Sequence, residues 1–174
     1  MTEKKLVYRC KKQDPSAQKE LYETYYIDMK RLVMRYLRNE DDAFDALSRG
    51  FFNALSRISQ FTYRGEGSLS AWISRIMINE SLSKIKNIRK ELLLVSQEAA
   101  TESELAYEEV DVSLLQACIQ SLPDGARTVF NLVAIEGYSH TECATLLHIS
   151  EGTSRSQLVY ARNKIKDMLK SSEL

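Results

Sequence analysis

The chain has 174 residues, with 24 lysines and arginines against 24 aspartates and glutamates, and only six glycines and two prolines. That length allows one or two small domains with modest cores. So few turn formers exclude a turn-rich all-β architecture, and no apolar run approaches the ~20 residues of a membrane span.

The net charge of zero hides a division. Residues 1–90 carry 18 basic and 11 acidic side chains, residues 91–112 carry seven acids and no base, and residues 113–174 carry six of each. A basic body, an acidic connector and a mixed body predict two domains on a linker. The basic body suits phosphate backbones. The start, Met1-Thr2-Glu3-Lys4-Lys5, lacks an apolar signal core, so the expected location is cytoplasmic. Cys10, Cys118 and Cys143 are odd in number and far apart, which is no disulfide framework.

In chain order, Asp14-Pro15 opens the first long helix, with aspartate as cap and proline at the first helical position. Leu21, Tyr25, Met29, Leu32 and Tyr36 form its amphipathic stripe. Asn39 caps a second helix, with Glu40, Asp41 and Asp42 in its first turn and a predicted buried face of Phe44, Leu47, Phe51, Leu55 and Ile58. Gly50 weakens that helix only modestly. The segment from Gln60 to Ser68 combines Phe61, Tyr63 and Arg64 with two glycines. Aromatics beside arginine in such a loop are what single-stranded DNA binding uses; the alternative is that Phe61 and Tyr63 plug the core edge.

Ser68 starts a third helix carrying Leu69, Trp72, Ile73, Ile76, Leu82 and Ile85. Its polar face is Arg75, Asn79, Ser83, Lys86 and Lys90, and it ends in a basic cluster of Lys84, Lys86, Arg89 and Lys90. The acidic connector shows no sustained periodicity and is expected to be flexible. Its one apolar patch, Leu92 to Val95, is a candidate for docking on a neighbour. From Val112 a helix carries Leu115, Cys118, Ile119 and Leu122, and Pro123-Asp124 starts another through Ala126, Val129, Phe130, Val133 and Ala134 to Gly137.

Ser139 and Glu142 form a capping box. The short helix it opens places Cys143, Ala144 and Leu147 on one face, and His148 to Gly152 breaks it. Ser150 caps a last helix whose Leu158, Ala161, Ile165 and Met168 face one way, with Arg155, Arg162 and Lys166 on a different face. A short helix, a glycine-bearing turn and a second helix with an arginine face is the helix-turn-helix plan, which lays the second helix in the DNA major groove. A plain αα-hairpin has the same spacing.

No nucleophile–base–orienter set, phosphate-cradling glycine loop or carboxylate pair stands out, so no enzyme, cofactor or small-molecule substrate is expected. His140, Cys143 and His148 lack a fourth ligand and metal-site spacing, and no metal is expected. The acids Glu40, Asp41, Asp42 and Asp45 read as helix-start charges.

Two segments resemble one family. Gly137-Tyr138-Ser139-His140, Ile149 to Leu158 and Ala161-Arg162, preceded by Leu122-Pro123 and Arg127-Thr128-Val129-Phe130, resemble region 4 of the extracytoplasmic-function (ECF) sigma factors of the sigma-70 family. Leu21 to Tyr26, Asp41 to Asp45, Gly65 to Ile73 and Arg75 to Asn79 are similar to region 2 of the same proteins, in the family's order. The implied architecture is all-α: region 2 over 1–90, an acidic linker over 91–111 and the region 4 helix-turn-helix over 112–174.

The resemblance implies a promoter-directing subunit. Thr153, Ser154, Arg155, Ser156, Gln157, Val159, Tyr160 and Arg162 would meet the −35 element. Phe61, Tyr63, Arg64, Ser68, Arg75, Asn79 and Lys86 would meet the −10 strand and its flipped base, where Trp72 either stacks on DNA or packs in the core. Asp41, Asp42, Asp45, Ser48, Arg49 and Phe52 would meet core RNA polymerase. The implied partners are promoter DNA, the β′ clamp helices and β flap of polymerase, and an anti-sigma factor, with no membrane insertion.

The chain departs from the family pattern at Ser48 and Arg49, where a Gln-Glu or Gln-Asp pair is usual, and at Val159 and Tyr160, where serine and arginine are frequent. The first departure supplies a rival expectation: a sigma-like DNA-binding regulator with weakened or lost polymerase binding.

Overall fold

The structure, a computed structural model, describes residues 2–94 and 112–171. The described residues are helical and hold no strand. The chain divides into two units, Met1–Val95 and Ser96–Leu174.

Unit 1 begins with a helix that the sequence reading did not anticipate, α1 (Glu3–Lys11). It has only three buried residues, Leu6, Val7 and Cys10, and Thr2 makes no side-chain cap bond. Helix α2 (Pro15–Tyr36) starts as expected: the Asp14 carboxylate accepts from Ser16 N at 2.9 Å and Ala17 N at 3.3 Å. Helix α3 (Glu40–Arg57) is capped by Asn39, which accepts from Asp42 N at 3.0 Å. A 3-10 turn (Ile58–Gln60) and the loop to Gly67 lead into α4 (Ser68–Leu94).

Helices α2, α3 and α4 pack against one another. Leu21, Met29, Val33 and Tyr36 of α2, Leu47, Phe51 and Ala54 of α3, and Leu69, Ile73, Met77 and Ile78 of α4 are all buried. Each large apolar side chain so buried contributes roughly 1.5–3 kcal/mol, well above the ~1 kcal/mol that Gly50 costs its helix. Gly50 is there for space: a Cβ at this position would collide with Met77 Sδ on α4.

That close approach corrects the predicted face of α3. Ala43, Ala46, Leu47, Gly50, Phe51 and Ala54 are the buried residues, whereas Phe44 is 60% exposed. Small residues at positions 43, 46, 50 and 54 bring α3 close to α4 and rotate Phe44 outward. Phe44, Ser48 and Phe52 then share an exposed stripe at i, i+4 and i+8.

Helix α4 continues to Leu94, beyond residue 91 where the connector was expected to start. The rest of the connector, Val95 of its apolar patch included, and the side chains of Arg89, Lys90 and Leu92 to Leu94 lie outside the described residues.

Unit 2 holds α5 (Val112–Ser121), α6 (Asp124–Phe130), α7 (His140–Leu147) and α8 (Glu151–Ser171). Cys118, Ile119, Leu122, Ala126, Ala161 and Ile165 form a core against which Phe130, Met168 and Leu169 pack. Leu115, expected inside, is 40% exposed. The helix predicted to run through Ala134 instead changes at Phe130 into a π-helical turn, Asn131–Ile135, with Glu136 N on Asn131 O at 2.9 Å. Gly137 ends it at φ +76°, and Tyr138 N closes back on Leu132 O at 2.9 Å, as a left-handed glycine cap does. Arg127 is 3% exposed, held by Asp124 at 2.9 Å.

Candidate nucleic-acid interface

The helix-turn-helix is built by local chemistry. Ser139 Oγ accepts from Glu142 N at 3.2 Å, and Glu142 Oε2 accepts from Ser139 N at 2.9 Å, so the capping box is complete. Helix α7 stops at His148, which is left-handed at φ +54°. Histidine, not the expected glycine, makes the reversal; Gly152 already belongs to the first turn of α8. Ser150 Oγ accepts from Thr153 N at 3.0 Å and caps α8.

Helix α8 turns Ser154, Leu158, Ala161 and Ile165 inward. Thr153, Arg155, Ser156, Val159, Tyr160, Arg162 and Lys166 are exposed, and Gln157 is half-buried beside Gly125 of α6. Ser154 is therefore a correction. It lies one turn before Leu158 on the core face, is 0% exposed, and its hydroxyl sits 2.8 Å from His140 Nδ1. Arg155 reaches back to Glu151 at 2.9 Å, and Thr141 donates to the same glutamate at 2.7 Å. These bonds, that from Thr141 first, hold the Glu151 carboxyl below its ordinary range. Arg155 stays exposed despite its partner, and such a surface pair contributes only ~0.3–0.5 kcal/mol, so a phosphate or base edge can displace it.

In unit 1 the loop before α4 separates its aromatics. Phe61 is a second correction: it is 5% exposed, with its ring 5.1 Å from that of Trp72 at 43°. The pair closes the core edge, and Trp72 is half-buried on the same side. Tyr63 is half-buried, and its hydroxyl donates to Glu66 at 3.3 Å. Desolvation, then the Glu66 charge, pushes the Tyr63 hydroxyl up, so it remains a donor. Arg64 is exposed. Ser68 is half-buried, and its hydroxyl donates to Gly65 O at 2.6 Å, which stitches the loop closed. Gly65 and Gly67 hold φ of +126° and +85°, conformations that exclude most other residues. Arg75, Asn79 and Lys86 are exposed along α4.

On α3, Asp41, Asp45, Ser48, Arg49 and Phe52 are exposed and Asp42 is half-buried. Two of these acids are engaged within the chain: Lys84 Nζ lies 3.0 Å from Asp42 Oδ1 and 3.0 Å from Asp45 Oδ2. The hydrogen bond to Asp42, then that to Asp45, pushes the Lys84 ammonium up. Lys84 thus serves the α3–α4 junction rather than the basic cluster at the end of α4. Phe44 and Asp41 line a groove of about 220 Å³ with Tyr26, Lys30 and Met34.

Sequence reasoning missed Glu3 and Lys11 and placed Lys84 only in the basic cluster; the partners of all three lie far along the chain. Glu3 bonds Gly67 N and Leu69 N, and Lys11 bonds Phe61 O. No periodicity or cap signal points to bonds of that range.

Comparison with known proteins agrees with this architecture. Residues 21–91 match the family model described as Sigma-70 region 2, and residues 113–165 match Sigma-70, region 4. The chain is 28% identical to the ECF RNA polymerase sigma factor SigW of Bacillus subtilis over 182 residues, covering 96% of each. It is 24% identical to the ECF RNA polymerase sigma factor SigM of Mycobacterium tuberculosis over 150 residues, covering 86% of this chain and 76% of that one. Among solved structures, the sigma factor RpoE in complex with the anti-sigma factor NepR from Bartonella quintana is similar in fold. Its TM-score is 0.58 at 21% identity, covering 87% of this chain and 96% of that one. CnrH in complex with the cytosolic domain of CnrY gives a TM-score of 0.53 at 21% identity, covering 95% and 96%. Both family models fall on the two units already described, in the family's order. The chain belongs to the sigma-70 family, as an ECF RNA polymerase sigma factor acting in transcription initiation.

Proposed function

We propose that this sigma factor binds core RNA polymerase and directs it to promoters by reading two DNA elements, one with each unit. Unit 2 docks α8 in the major groove of the −35 element through Thr153, Arg155, Ser156, Gln157, Val159, Tyr160 and Arg162. The observation that carries this is the division of α8: Leu158, Ala161 and Ile165 are buried while Arg155, Arg162 and Lys166 stand exposed on the other side. Arginine on an exposed recognition helix supplies both base-edge readout and phosphate contact.

Unit 1 takes the −10 strand on Tyr63, Arg64, Arg75, Asn79 and Lys86. Exposed cations hold the backbone and Tyr63 offers a ring face to an unstacked base. Ser68 acts by shaping the loop, and Phe61 by closing the core beneath it. The α3 stripe, with Asp41, Asp45, Ser48, Arg49, Phe52 and the newly placed Phe44, is the proposed polymerase surface toward the β′ clamp helices; unit 2 meets the β flap. The chain acts by binding, without chemistry of its own, and in the cytoplasm. No helix among the described residues is long and apolar enough to cross a membrane. An anti-sigma factor is a further proposed partner, as in the complex of the sigma factor RpoE with NepR.

A second reading has its own observation. Arg49 is exposed where the family has an acid, and Lys84 holds Asp42 and Asp45. Both features lower the negative charge that α3 presents, which favours a weak polymerase ligand over a tight one. Co-purification with core polymerase tests the assignment. Recovery of a salt-sensitive complex supports the sigma factor, and complete absence of a complex supports a regulator that has left polymerase.

A further inference from the structure

Helix α4 begins without a cap of its own. Gly67 stands in the cap position and has no side chain, and the Ser68 hydroxyl points away from the helix N–H groups, 2.6 Å from Gly65 O and 3.3 Å from Glu3 Oε1. The missing acceptor comes from α1. Glu3 Oε2 accepts from Gly67 N at 2.9 Å and Glu3 Oε1 accepts from Leu69 N at 2.9 Å, so both carboxylate oxygens are used. Tyr25 donates to Glu3 Oε2 at 3.4 Å from α2. At the other end of the loop, Lys11 Nζ donates to Phe61 O at 2.6 Å. Helix α1 therefore ties both ends of the 61–68 segment.

We infer that Glu3 is a positioning residue that sets −10 specificity, holding the Tyr63–Arg64 loop in one shape and closing the start of α4 to DNA phosphate. This rests on the proposed reading that the loop meets the −10 strand. A carboxylate bonded to two backbone N–H groups makes charge-assisted bonds, about twice as strong as neutral ones. The same N–H groups, with the positive end of the helix dipole, form an anion site whenever the carboxylate is absent. A phosphate drawn there would shift the strand away from Arg64 and Arg75. Glu3 thus keeps the basic loop from holding any single strand indiscriminately.

The test uses holoenzyme assembled from core polymerase and the full chain. The probe is a fluorescein-labelled single-stranded oligonucleotide that wild-type holoenzyme selects from a random pool, compared by anisotropy with a scrambled version. Glu3→Ala is expected to lower the preference for the selected strand by about tenfold, with affinity for the scrambled strand rising. Lys11→Met should lower the preference without raising scrambled binding, and Glu3→Gln should fall between Glu3→Ala and wild type. If Glu3→Ala does not fold, Lys11→Met and Glu3→Gln decide by the same criteria. An equal loss on both strands would mean that Glu3 only stabilises unit 1, and would overturn the inference. Unchanged preference in the Glu3 and Lys11 variants, with a loss in Arg64→Ala, would overturn it and leave the loop's role standing. No change in Arg64→Ala either would remove the loop reading itself.

Discussion

The Ser154 hydroxyl lies 2.8 Å from His140 Nδ1, and this bond joins the first turn of α8 to the first residue of α7. It couples the two helices of the helix-turn-helix, with Ser154 0% exposed and His140 half-buried. Ser154→Ala should destabilise unit 2 by about 1 kcal/mol, the net worth of one buried hydrogen bond. Thermal unfolding of the full chain measures this. Binding to the −35 element at a temperature well below unfolding should keep its sequence preference, because Ser154 makes no direct contact with DNA.

Arg155 and Arg162 should behave in the opposite way. Both are exposed, so Arg155→Ala and Arg162→Ala should leave the unfolding temperature nearly unchanged. Arg155→Ala should cost ~1–3 kcal/mol of binding and relax preference at one promoter position if it reads a base edge. Arg162→Ala should weaken all sequences alike and flatten the salt dependence, as loss of a phosphate contact does. Unchanged −35 binding in the double variant would dismiss the docking of α8.

The charge on α3 gives a third expectation. Arg49→Glu, with Ser48→Gln, should tighten binding to a polymerase whose clamp helices are basic, with the largest gain at low salt. Lys84→Met should act in the same direction by freeing the carboxylates of Asp42 and Asp45, at some cost in α3–α4 stability. Anisotropy titration against core enzyme at two salt concentrations reads both. Weaker binding by Arg49→Glu would place an acidic group on the partner.

Asp14 sets an acid-range dependence. Its hydrogen bond from Arg9, then that from Ser16, lowers its carboxyl from 3.8 to about 2. A carboxyl held down in the folded state favours folding above its unfolded value, and that contribution is lost as pH falls toward the folded one. Unit 1 should therefore lose stability between pH 3.8 and about 2, and Asp14→Asn should remove that part of the slope. Urea unfolding across this window, followed by circular dichroism, would show it.

Much of this fold was legible because its signals are local. Asp14, Asn39, Ser139 and Ser150 each cap the helix they were expected to cap, since a cap bond spans two or three residues. The stripe of α8 was legible because arginine and leucine sort cleanly between water and core. Other features depend on distant partners. Phe44 is exposed because α3 turns Gly50 toward Met77 of α4, and nothing near Phe44 encodes that rotation. Helix α1 has too few apolar positions to register, and its importance lies in bonds to residues fifty or more positions away. Ser154 read as a polar candidate in sequence, and Phe61 stood between a DNA contact and a plug of the core edge. The packing of α7 on α8 and of Trp72 on the loop shows that both are interior.

The central claim is that this chain gives core polymerase its promoter choice through two separate surfaces. In vitro transcription with core enzyme on a library of randomised promoters tests it most directly. Transcripts should depend on the chain and come from templates sharing two sequence blocks. Arg155→Ala with Arg162→Ala should relax the upstream block alone, and Arg64→Ala the downstream block alone. Transcripts no more selective than those of core enzyme, or both blocks lost together in each variant, would contradict it.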